Sequence, residues 1–429
     1  MKNILKSIVV FIIEKEAQAV LKKYKPQIVA ITGSVGKTST KDAIYTALSN
    51  FYICRKSQKS FNSELGIPLT ILGKPNADQN LFGWIKNILE GLDLILLPTN
   101  YPEWLVLEVG TDRPGDIEAV TEWIKPDITV VTRLSKVPVH VEFFPTLEDL
   151  FNEKGNLVRA TKPGGSVILN VDDEDVLAYK KLTDEKIILF GNSLNADIRA
   201  IDYRVSYDQY NLPKGICFNV EINDKKYLIE LLGTLGEHHA YHILAALATV
   251  RSLNEKLDIA SKSFNRHEPT AGRMRLVRGI KDSMIIDDTY NSSPVALTEA
   301  LTTLKNVKAK RKIAVLGDML ELGKYSIEAH KMAGKEAADA ADILVTVGLR
   351  AQAIADSAMN FEMNEKQIFQ FEESREAGVF LQNIIEKGDL ILIKGSQGIR
   401  MEKTVEEVMQ EPERKLDLLV RQDGMWQKK

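Results

Sequence analysis

The residues best placed to do chemistry lie in the segment ITGSVGKTSTKDAI, which begins at Ile31. Gly33 and Gly36 allow backbone N–H groups to turn toward an anion. Lys37 adds a positive charge, and Thr38 offers a hydroxyl to a divalent metal ion. The usual phosphate-binding spacing, G-x-x-x-x-G-K-[ST], would require a glycine at Ile31. The segment therefore predicts a shortened phosphate-binding loop; the alternative is an ordinary glycine-containing turn with an incidental lysine.

Further candidates follow later strand-like runs. Glu108 ends the run WLVLEVG, at the edge where open parallel sheets bind their ligands. A carboxylate there can hold the magnesium ion that the Thr38 hydroxyl also contacts. His140 follows the next strand, and Lys154 lies one short helix further on. Taken singly, His140 is typical of an exposed loop histidine and Lys154 of a solvated lysine.

A strand and a helix are predicted on either side of the glycine-containing loop. QIVAIT before the loop is a short apolar run typical of a buried strand, and STKDAIYTALSN after it has apolar residues at helical spacing. A bound phosphate would therefore lie at a helix N-terminus, where unpaired backbone N–H groups favour an anion.

The composition limits the classes of protein that can be built around this loop. With 429 residues, the chain is longer than one hydrophobic core usually serves. Its 56 Lys and Arg residues and 59 Asp and Glu residues leave a net charge of −3, so no basic field indicates a nucleic acid partner. Cys54 and Cys217 lack the spacing of a metal or redox site, which indicates a reducing, cytoplasmic environment.

Strand-like and helical patterns alternate along most of the chain, which predicts parallel sheets covered by helices. From about 204 to 233 alternating residues and turn signals indicate a small antiparallel piece. The predicted fold class is α/β: a P-loop parallel-sheet central ATPase domain with a small antiparallel portion, followed by a Rossmann-like C-terminal domain. The predicted divisions are an N-terminal helix at 1–27, the central domain at 28–268 and the C-terminal domain at 269–429.

Two apolar segments have no place in that chemistry. The uninterrupted apolar run Ile8–Ile13 is too short to span a bilayer, which needs about 20 residues. It predicts a helix that either packs on the central domain or lies on a membrane surface. Residues 80–104 are predicted to be a buried helix and loop. Alternatively, segments 4–13 and 80–104 hold a lipid-linked substrate at the inner surface of the cytoplasmic membrane, as a peripheral contact.

Nine segments, in one order, resemble the Mur ligases, and most closely the type that adds D-alanyl-D-alanine to a UDP-muramoyl tripeptide. They are ITGSVGKTSTK, FNSELGIPLTIL, LEVGTDRPGDI, HVEFF...NEKGNLV, LGEHHAYHILAALA, PTAGRM, DDTYNSSP, LGDMLELG......H and KGSQGIRME. DDTYN and LGDMLELG favour this type. The match runs from about residue 28 to 405, and the family's loop has the same shortened form, which implies an ATP site.

The resemblance implies an ATP-dependent amide ligase. In such an enzyme ATP phosphorylates a carboxylate, an amine attacks the acyl phosphate, and a tetrahedral intermediate collapses to an amide with release of ADP and phosphate. The implied substrates are a muramoyl peptide and D-alanyl-D-alanine, and the implied enzyme is a monomer. One alternative is a Mur-like ligase acting on another carboxylate, such as a lipid-linked muramoyl peptide or a polyglutamate. Another is an ATP-binding regulator without catalysis.

The resemblance also implies roles for individual residues. The implied catalytic residues are Lys37, Lys154, His140 and Arg273. Those implied to bind ATP are Gly33, Ser34, Gly36, Lys37, Thr38, Ser39, His239, Arg273 and Asp288. Two Mg²⁺ ions are implied, with metal ligands Thr38, Glu108, His140 and Lys154, the last as a carbamate. The substrate residues implied are Asn62, Tyr290, Asn291, His330, Lys394 and Ser396.

The chain departs from the family pattern at several places. The family's HN and then N in the adenine-side helix are His238-His239 and then His242 here, and its KGSR is KGSQ, with Arg400 three residues later. A histidine ring still offers one donor and one acceptor to adenine. Family members of this type carry a UDP-sugar domain before the loop, whereas about 30 residues precede it here. We therefore expect a ligase lacking that domain.

Overall fold

The computed structural model describes residues 2–57, 65–78, 80–134 and 144–422, with side chains from residue 7 onward. Within this part of the chain, helices cover two largely parallel sheets, which confirms the predicted α/β fold class.

A nine-stranded sheet forms the first part of the described chain, in the order β2-β3-β1-β4-β5-β6-β7-β8-β9. Its strands are β1 Gln27–Thr32, β2 Cys54–Lys56, β3 Trp104–Glu108, β4 Ile128–Val131, β5 Ser166–Asn170, β6 Lys186–Gly191, β7 Ile198–Tyr207, β8 Pro213–Ile222 and β9 Lys225–Leu232. Its helices are α1 Lys2–Tyr24, α2 Lys37–Leu48, α3 Gly66–Leu72, α4 Leu81–Leu96, α5 Asp116–Trp123, α6 Leu147–Arg159, α7 Glu174–Leu177, α8 His238–Ser252 and α9 Leu257–Ser263.

The register of β1 explains how distant segments meet. It is parallel to β3 on one side and to β4 on the other, with Ile31 paired to both Glu108 and Val130. The three strands are almost continuously apolar because both faces of the sheet are covered. Their carboxyl ends therefore bring the loop after β1, Glu108 and Thr132 to one edge of the sheet.

The predicted antiparallel portion is present but is not separate from the parallel sheet. β7 pairs in parallel with β6, and β7, β8 and β9 then run antiparallel to one another. These three strands extend the nine-stranded sheet at one side.

A six-stranded sheet follows, in the order β10-β11-β15-β12-β13-β14. Its strands are β10 Arg275–Gly279, β11 Ser283–Asp288, β12 Arg311–Gly317, β13 Ile343–Val347, β14 Ile368–Phe371 and β15 Asp389–Lys394. Its helices are α10 Pro294–Asn306, α11 Ser326–Ala340, α12 Gln352–Asn360, α13 Ser374–Ile384, α14 Glu402–Val408 and α15 Lys415–Leu418. Within this sheet, β10 alone of the described strands is antiparallel to its neighbour, so the other five strands share a carboxyl edge.

Helices α1 and α4 pack against each other beside the nine-stranded sheet. Ile13, Ala17 and Val20 of α1 are fully buried in a cluster with Ile28 and other residues of β1 and β3. Helix α4 has its predicted place within 80–104, but the prediction that it is buried is wrong. Only Asn87 and Gly91 of α4 are buried. One side of α4 packs on the protein, and the other side, which is also apolar, is exposed. None of the helices in the described ranges combines the length and apolar character needed to cross a membrane.

Candidate active site

The loop between β1 and α2 depends on two glycines. Gly33 has φ 145°, and a Cβ atom there would lie 2.1 Å from the Thr132 hydroxyl oxygen. Gly36 has φ 85° in the left-handed region, and a Cβ atom there would lie 2.9 Å from His242 Nε2. Both positions therefore need glycine, for backbone conformation and for space.

The strand end after β4 holds this loop in place. The Ser34 N–H donates to the Arg133 carbonyl oxygen at 2.7 Å, and the Thr132 hydroxyl donates to the Val35 carbonyl oxygen at 2.7 Å. Helix α2 begins at Lys37 with Gly36 as its N-cap residue, and no described side chain caps it. Its first-turn N–H groups therefore offer the kind of anion site that the sequence predicted.

Lys37 and Lys154 meet at one carbonyl oxygen. Lys37 Nζ lies 2.9 Å and Lys154 Nζ 3.4 Å from the Gly33 oxygen. Burial lowers the pKa of Lys37. Burial, together with the positive charge of Lys37, lowers the pKa of Lys154 to about 7. The solvated-lysine interpretation of Lys154 is therefore wrong: Lys154 belongs to α6, and its side chain is buried against the loop.

Local structure of α6 explains the position of Lys154. A capping box formed by Thr146 and Asp149 starts the helix. Glu153, next to Lys154, is buried and accepts the Ile117 N–H at 2.6 Å, at the start of α5. This contact fixes α6 against the carboxyl edge of the sheet.

Thr38 and Glu108 form the pair expected of a magnesium site. The Thr38 hydroxyl lies 3.0 and 3.2 Å from the two carboxylate oxygens of Glu108, and both side chains are buried. In the described ranges, no group of three or more His, Cys, Asp or Glu residues is arranged to hold a metal ion. The donors present nevertheless fit Mg²⁺, which is commonly held by one or two carboxylates with a loop hydroxyl and substrate phosphates. His140 lies outside the described residues.

A cavity of about 400 Å³ opens beside the loop, between the two sheets. The loop and α2 contribute Val35, Gly36, Thr38, Ser39 and Thr40; α8 contributes the three histidines; and the second sheet's part contributes Arg273, Asp288 and Lys394. The structure thus brings most of the residues predicted to bind ATP to one cavity.

Two of the histidines in this cavity, His239 and His242, are uncharged near neutral pH. Burial lowers the pKa of both His239 and His242 well below the usual value. His239 Nε2 lies 2.9 Å from the Thr234 hydroxyl oxygen. His242 Nδ1 is buried and has no hydrogen-bond partner among the described residues. A neutral ring with an unused nitrogen can donate to or accept from a polar heterocycle.

Arg273, Asp288 and Lys394 line the far side of the cavity. The Arg273 guanidinium carbon lies 4.1 Å from the centre of the Tyr290 ring, a cation–π arrangement. Lys394 Nζ lies 2.6 Å from Asp288 Oδ2, and both side chains are buried. Asp288, predicted to contact ribose, is therefore already neutralised by Lys394, a residue predicted to contact substrate.

The other predicted substrate residues lie at the carboxyl edge of the second sheet, mostly in structural contacts. The Asn291 carbonyl oxygen accepts from Lys394 Nζ at 3.0 Å, and Ser396 Oγ accepts the Leu320 N–H at 2.9 Å. His330 is fully buried. Asn62 lies outside the described residues.

Both ring nitrogens of His330 are occupied. Nε2 accepts the Met319 N–H at 3.0 Å, and Nδ1 donates to the Ser326 carbonyl oxygen at 2.6 Å. Its ring therefore positions the loop after β12, with both nitrogens engaged by the backbone.

Sequence reasoning missed the contacts across the cavity between the part of the chain that contains the nine-stranded sheet and the part that follows it. Arg133, which follows β4, forms an ion pair with Glu299 of α10. The Thr270 hydroxyl donates to Asp42 Oδ2 of α2 at 2.9 Å. No local pattern signals such pairs, because their members are more than 160 residues apart in the chain.

Known proteins share this arrangement of domains. The family model described as Mur ligase middle domain matches residues 31–250, and that described as Mur ligase, glutamate ligase domain, matches residues 272–397. The UDP-N-acetylmuramoyl-tripeptide–D-alanyl-D-alanine ligase of Bacillus subtilis is 26% identical over 402 residues, covering 93% of this chain and 79% of the relative. That of Rickettsia prowazekii is 28% identical over 387 residues, covering 89% and 78%. The structure of MurF ligase from Thermotoga maritima in complex with ADP is 26% identical, with a TM-score of 0.77 over 95% of this chain and 84% of that one.

Proposed function

This chain belongs to the Mur ligase family, and on that premise we propose that it is an ATP-dependent ligase of peptidoglycan precursor synthesis. The reaction proposed is the addition of D-alanyl-D-alanine to a muramoyl tripeptide, the activity that the names of its relatives describe. The observation that carries the proposal is the phosphate-binding loop, in which Lys37 is followed by Thr38, paired with the buried Glu108 and lining the cavity.

The cavity accounts for binding of ATP. The neutral rings of His239 and His242 line the cavity and would offer a purine base a hydrogen-bond donor or acceptor. The phosphates would then lie at the N-terminus of α2, against the N–H groups of the loop. Lys37 from one side and Arg273 from the other would neutralise the terminal phosphate.

The reaction follows from holding three reactants at this edge. A carboxylate oxygen of the tripeptide attacks the terminal phosphorus, and ADP leaves. The amine nitrogen of the dipeptide attacks the acyl carbon; phosphate then leaves and the nitrogen loses a proton. The residues of the loop bind and orient the phosphates and compensate negative charge as it moves to the leaving oxygen.

Thr38 and Glu108 would hold a magnesium ion, which supplies further compensation of phosphate charge. We propose His140 as a ligand of a second ion. We also propose that Lys154 is carbamylated: its neutral nitrogen adds to carbon dioxide and loses a proton. The contact geometry supports this, because two ammonium groups at the Gly33 oxygen repel each other, whereas a carbamate beside Lys37 is attracted.

The proposed domain divisions remain 1–27, 28–268 and 269–429. The proposed state is a cytoplasmic monomer that makes a peripheral contact with the inner membrane surface.

A substrate screen tests the proposed function. The full chain is incubated with ATP and Mg²⁺, and ADP and amide product are measured for UDP-muramoyl tripeptide with D-alanyl-D-alanine, then for lipid-linked muramoyl peptide and for glutamate acceptors. Amide formation with the first pair is the expected result. ADP formation with another pair alone would move the assignment to a different carboxylate. Nucleotide binding without ADP formation for any pair would instead favour a regulator.

A further inference from the structure

Helix α4 carries an apolar face that no described residue covers. Six side chains 41–83% exposed follow one another at intervals of one, three or four residues, which places them along one side of a helix. We call this set the outer face of α4: Leu81, Phe82, Ile85, Leu89, Leu92 and Leu96. The helix is 16 residues long, so the face extends for about 24 Å. A contiguous apolar surface of this kind marks an interaction site.

The opposite side of α4 already packs against the rest of the protein, so the outer face is a second apolar face. Trp84, Ile88 and Ile95 contact the buried cluster around α1 and the nine-stranded sheet. The carbonyl oxygens of Leu94 and Leu97 at the end of α4 accept from Lys23 Nζ at 2.9 and 2.6 Å. Helix α4 is therefore anchored to the molecule by one face and presents the other outward.

Helices α1 and α4 both have their N-terminal ends toward the active-site edge of the sheet. Glu16 of α1 lies beside Gly91 of α4, and Lys23, further along α1, lies beside Leu94, further along α4. Residue numbers therefore increase in the same direction along both helices, which means that the helices are parallel. Helix α1 packs on the sheet and leads straight into β1, and such a helix runs antiparallel to its strand. The N-terminal ends of both helices therefore lie toward the carboxyl edge, where Glu108 is found.

The charge of this part of the molecule differs from that of the whole. Residues 2–25 contain six lysines and two glutamates, whereas the chain has a net charge of −3. On α4 itself, the highly exposed Lys86 lies 3.8 Å from Glu90, and Asp93 is also exposed, so the positive charge of this region comes from α1. On α1, Lys15 Nζ lies 5.6 Å from the ring centre of Phe11, which is 60% exposed. Exposed apolar groups beside lysines are the pattern of a helix lying at the surface of an anionic membrane.

We propose that the outer face of α4 docks on an anionic lipid bilayer, with Lys15 of α1 and Lys86 of α4 near the headgroups. The proposal is a peripheral contact: α4 lies in the interfacial plane, and the active-site edge faces substrates presented at that surface. It goes beyond the ligase activity and does not depend on which peptide is joined.

Vesicle flotation of the full chain tests this. The vesicles are phosphatidylcholine alone or mixed with phosphatidylglycerol, at low and high salt. The test variant is Phe82→Asp with Leu89→Asp, and the matched control is Leu194→Asp with Leu228→Asp, whose wild-type residues are comparably exposed elsewhere on the molecule. Circular dichroism and ADP binding check that both variants fold.

The intact chain and the control variant are expected to float with the anionic vesicles, less so at high salt. The test variant should lose at least about tenfold in bound fraction, because it loses two large apolar side chains and gains two charges facing anionic lipid. The proposal is overturned if the intact chain does not bind anionic vesicles, or if both variants lose binding equally. It is also overturned if light scattering shows that the intact chain is a dimer and the test variant a monomer, while neither protein binds vesicles. Ligase activity on a soluble substrate is measured in parallel, so failure of that assay bears only on the proposed function.

Discussion

Replacing Glu16 by Gln should stabilise the protein in a pH-dependent way. Glu16 of α1 is only 5% exposed, and neither carboxylate oxygen has a hydrogen-bond partner among the described residues. A Cβ atom on Gly91 of α4 would lie 2.2 Å from Glu16 Oε2, so the carboxyl group is enclosed where the two helices meet. Burial raises its pKa from 4.5 to about 7.

The direction and the size follow from that shift. The folded state holds the proton more tightly than the unfolded state, so the contribution of Glu16 to stability is complete below about pH 4.5. It is lost as the pH rises toward about 7 and then stays constant, because both states are ionised. At about 1.4 kcal/mol for each pKa unit, a shift from 4.5 to about 7 corresponds to a loss of at most about 3 kcal/mol.

Urea unfolding measured from about pH 5 to about pH 8 would detect this loss. The free energy of unfolding of Glu16→Gln should exceed that of the wild type by an amount that grows across this range and levels off above it. The control is Glu14→Gln on the same helix, whose carboxylate accepts a hydrogen bond from Gln18 at 2.8 Å. A difference between Glu16→Gln and the wild type that stays constant with pH would refute the reasoning.

Three further predictions concern the candidate active site. Lys37→Ala should lower kcat at least about a hundredfold by removing charge compensation at the transferred phosphoryl group, whereas Lys225→Ala, at an exposed position, should not; equal rates in the two would remove the loop from the mechanism. Lys154→Ala should be almost inactive in the ligase assay, and a short carboxylic acid in solution should restore part of the rate; full activity without it would exclude a carbamate. Gly33→Ala should weaken ADP binding measured by calorimetry, because its Cβ atom would lie 2.1 Å from the Thr132 hydroxyl; unchanged affinity would show that the loop adapts.

Much of the fold could be predicted from the sequence because its signals are local. The apolar runs QIVAIT and KIILFG coincide with β1, Gln27–Thr32, and β6, Lys186–Gly191, and the runs at β4 and β15 differ from the structure only at their ends. The continuous apolar character of these strands reflects burial on both faces, which a short window is enough to detect. The antiparallel β10 and the short β14 gave weaker signals, because both are edge strands of the six-stranded sheet and have partly exposed residues.

The candidate site was predictable in its membership but less so in its contacts. A motif places Asp288 and Lys394 in the site, but their ion pair joins strands 106 residues apart. His330 was predicted to contact substrate, yet both of its ring nitrogens are used within the loop after β12. Helix α4 was predicted to be buried because it is apolar, although an apolar helix needs partners on every side to be buried. Each of these outcomes depends on which elements become neighbours.

The meeting of Lys37 and Lys154 shows what the fold adds to a motif. The two residues are 117 positions apart, and their separate motifs say nothing about the distance between their charges. In the structure both Nζ atoms lie within 3.4 Å of the Gly33 oxygen, and burial disfavours two ammonium groups there. One of the two is therefore driven toward its neutral form, and Lys154, with a pKa of about 7, is the residue that yields. A neutral amine is the form that reacts with carbon dioxide, so the same close contact that would destabilise a second cation favours its replacement by an anionic carbamate.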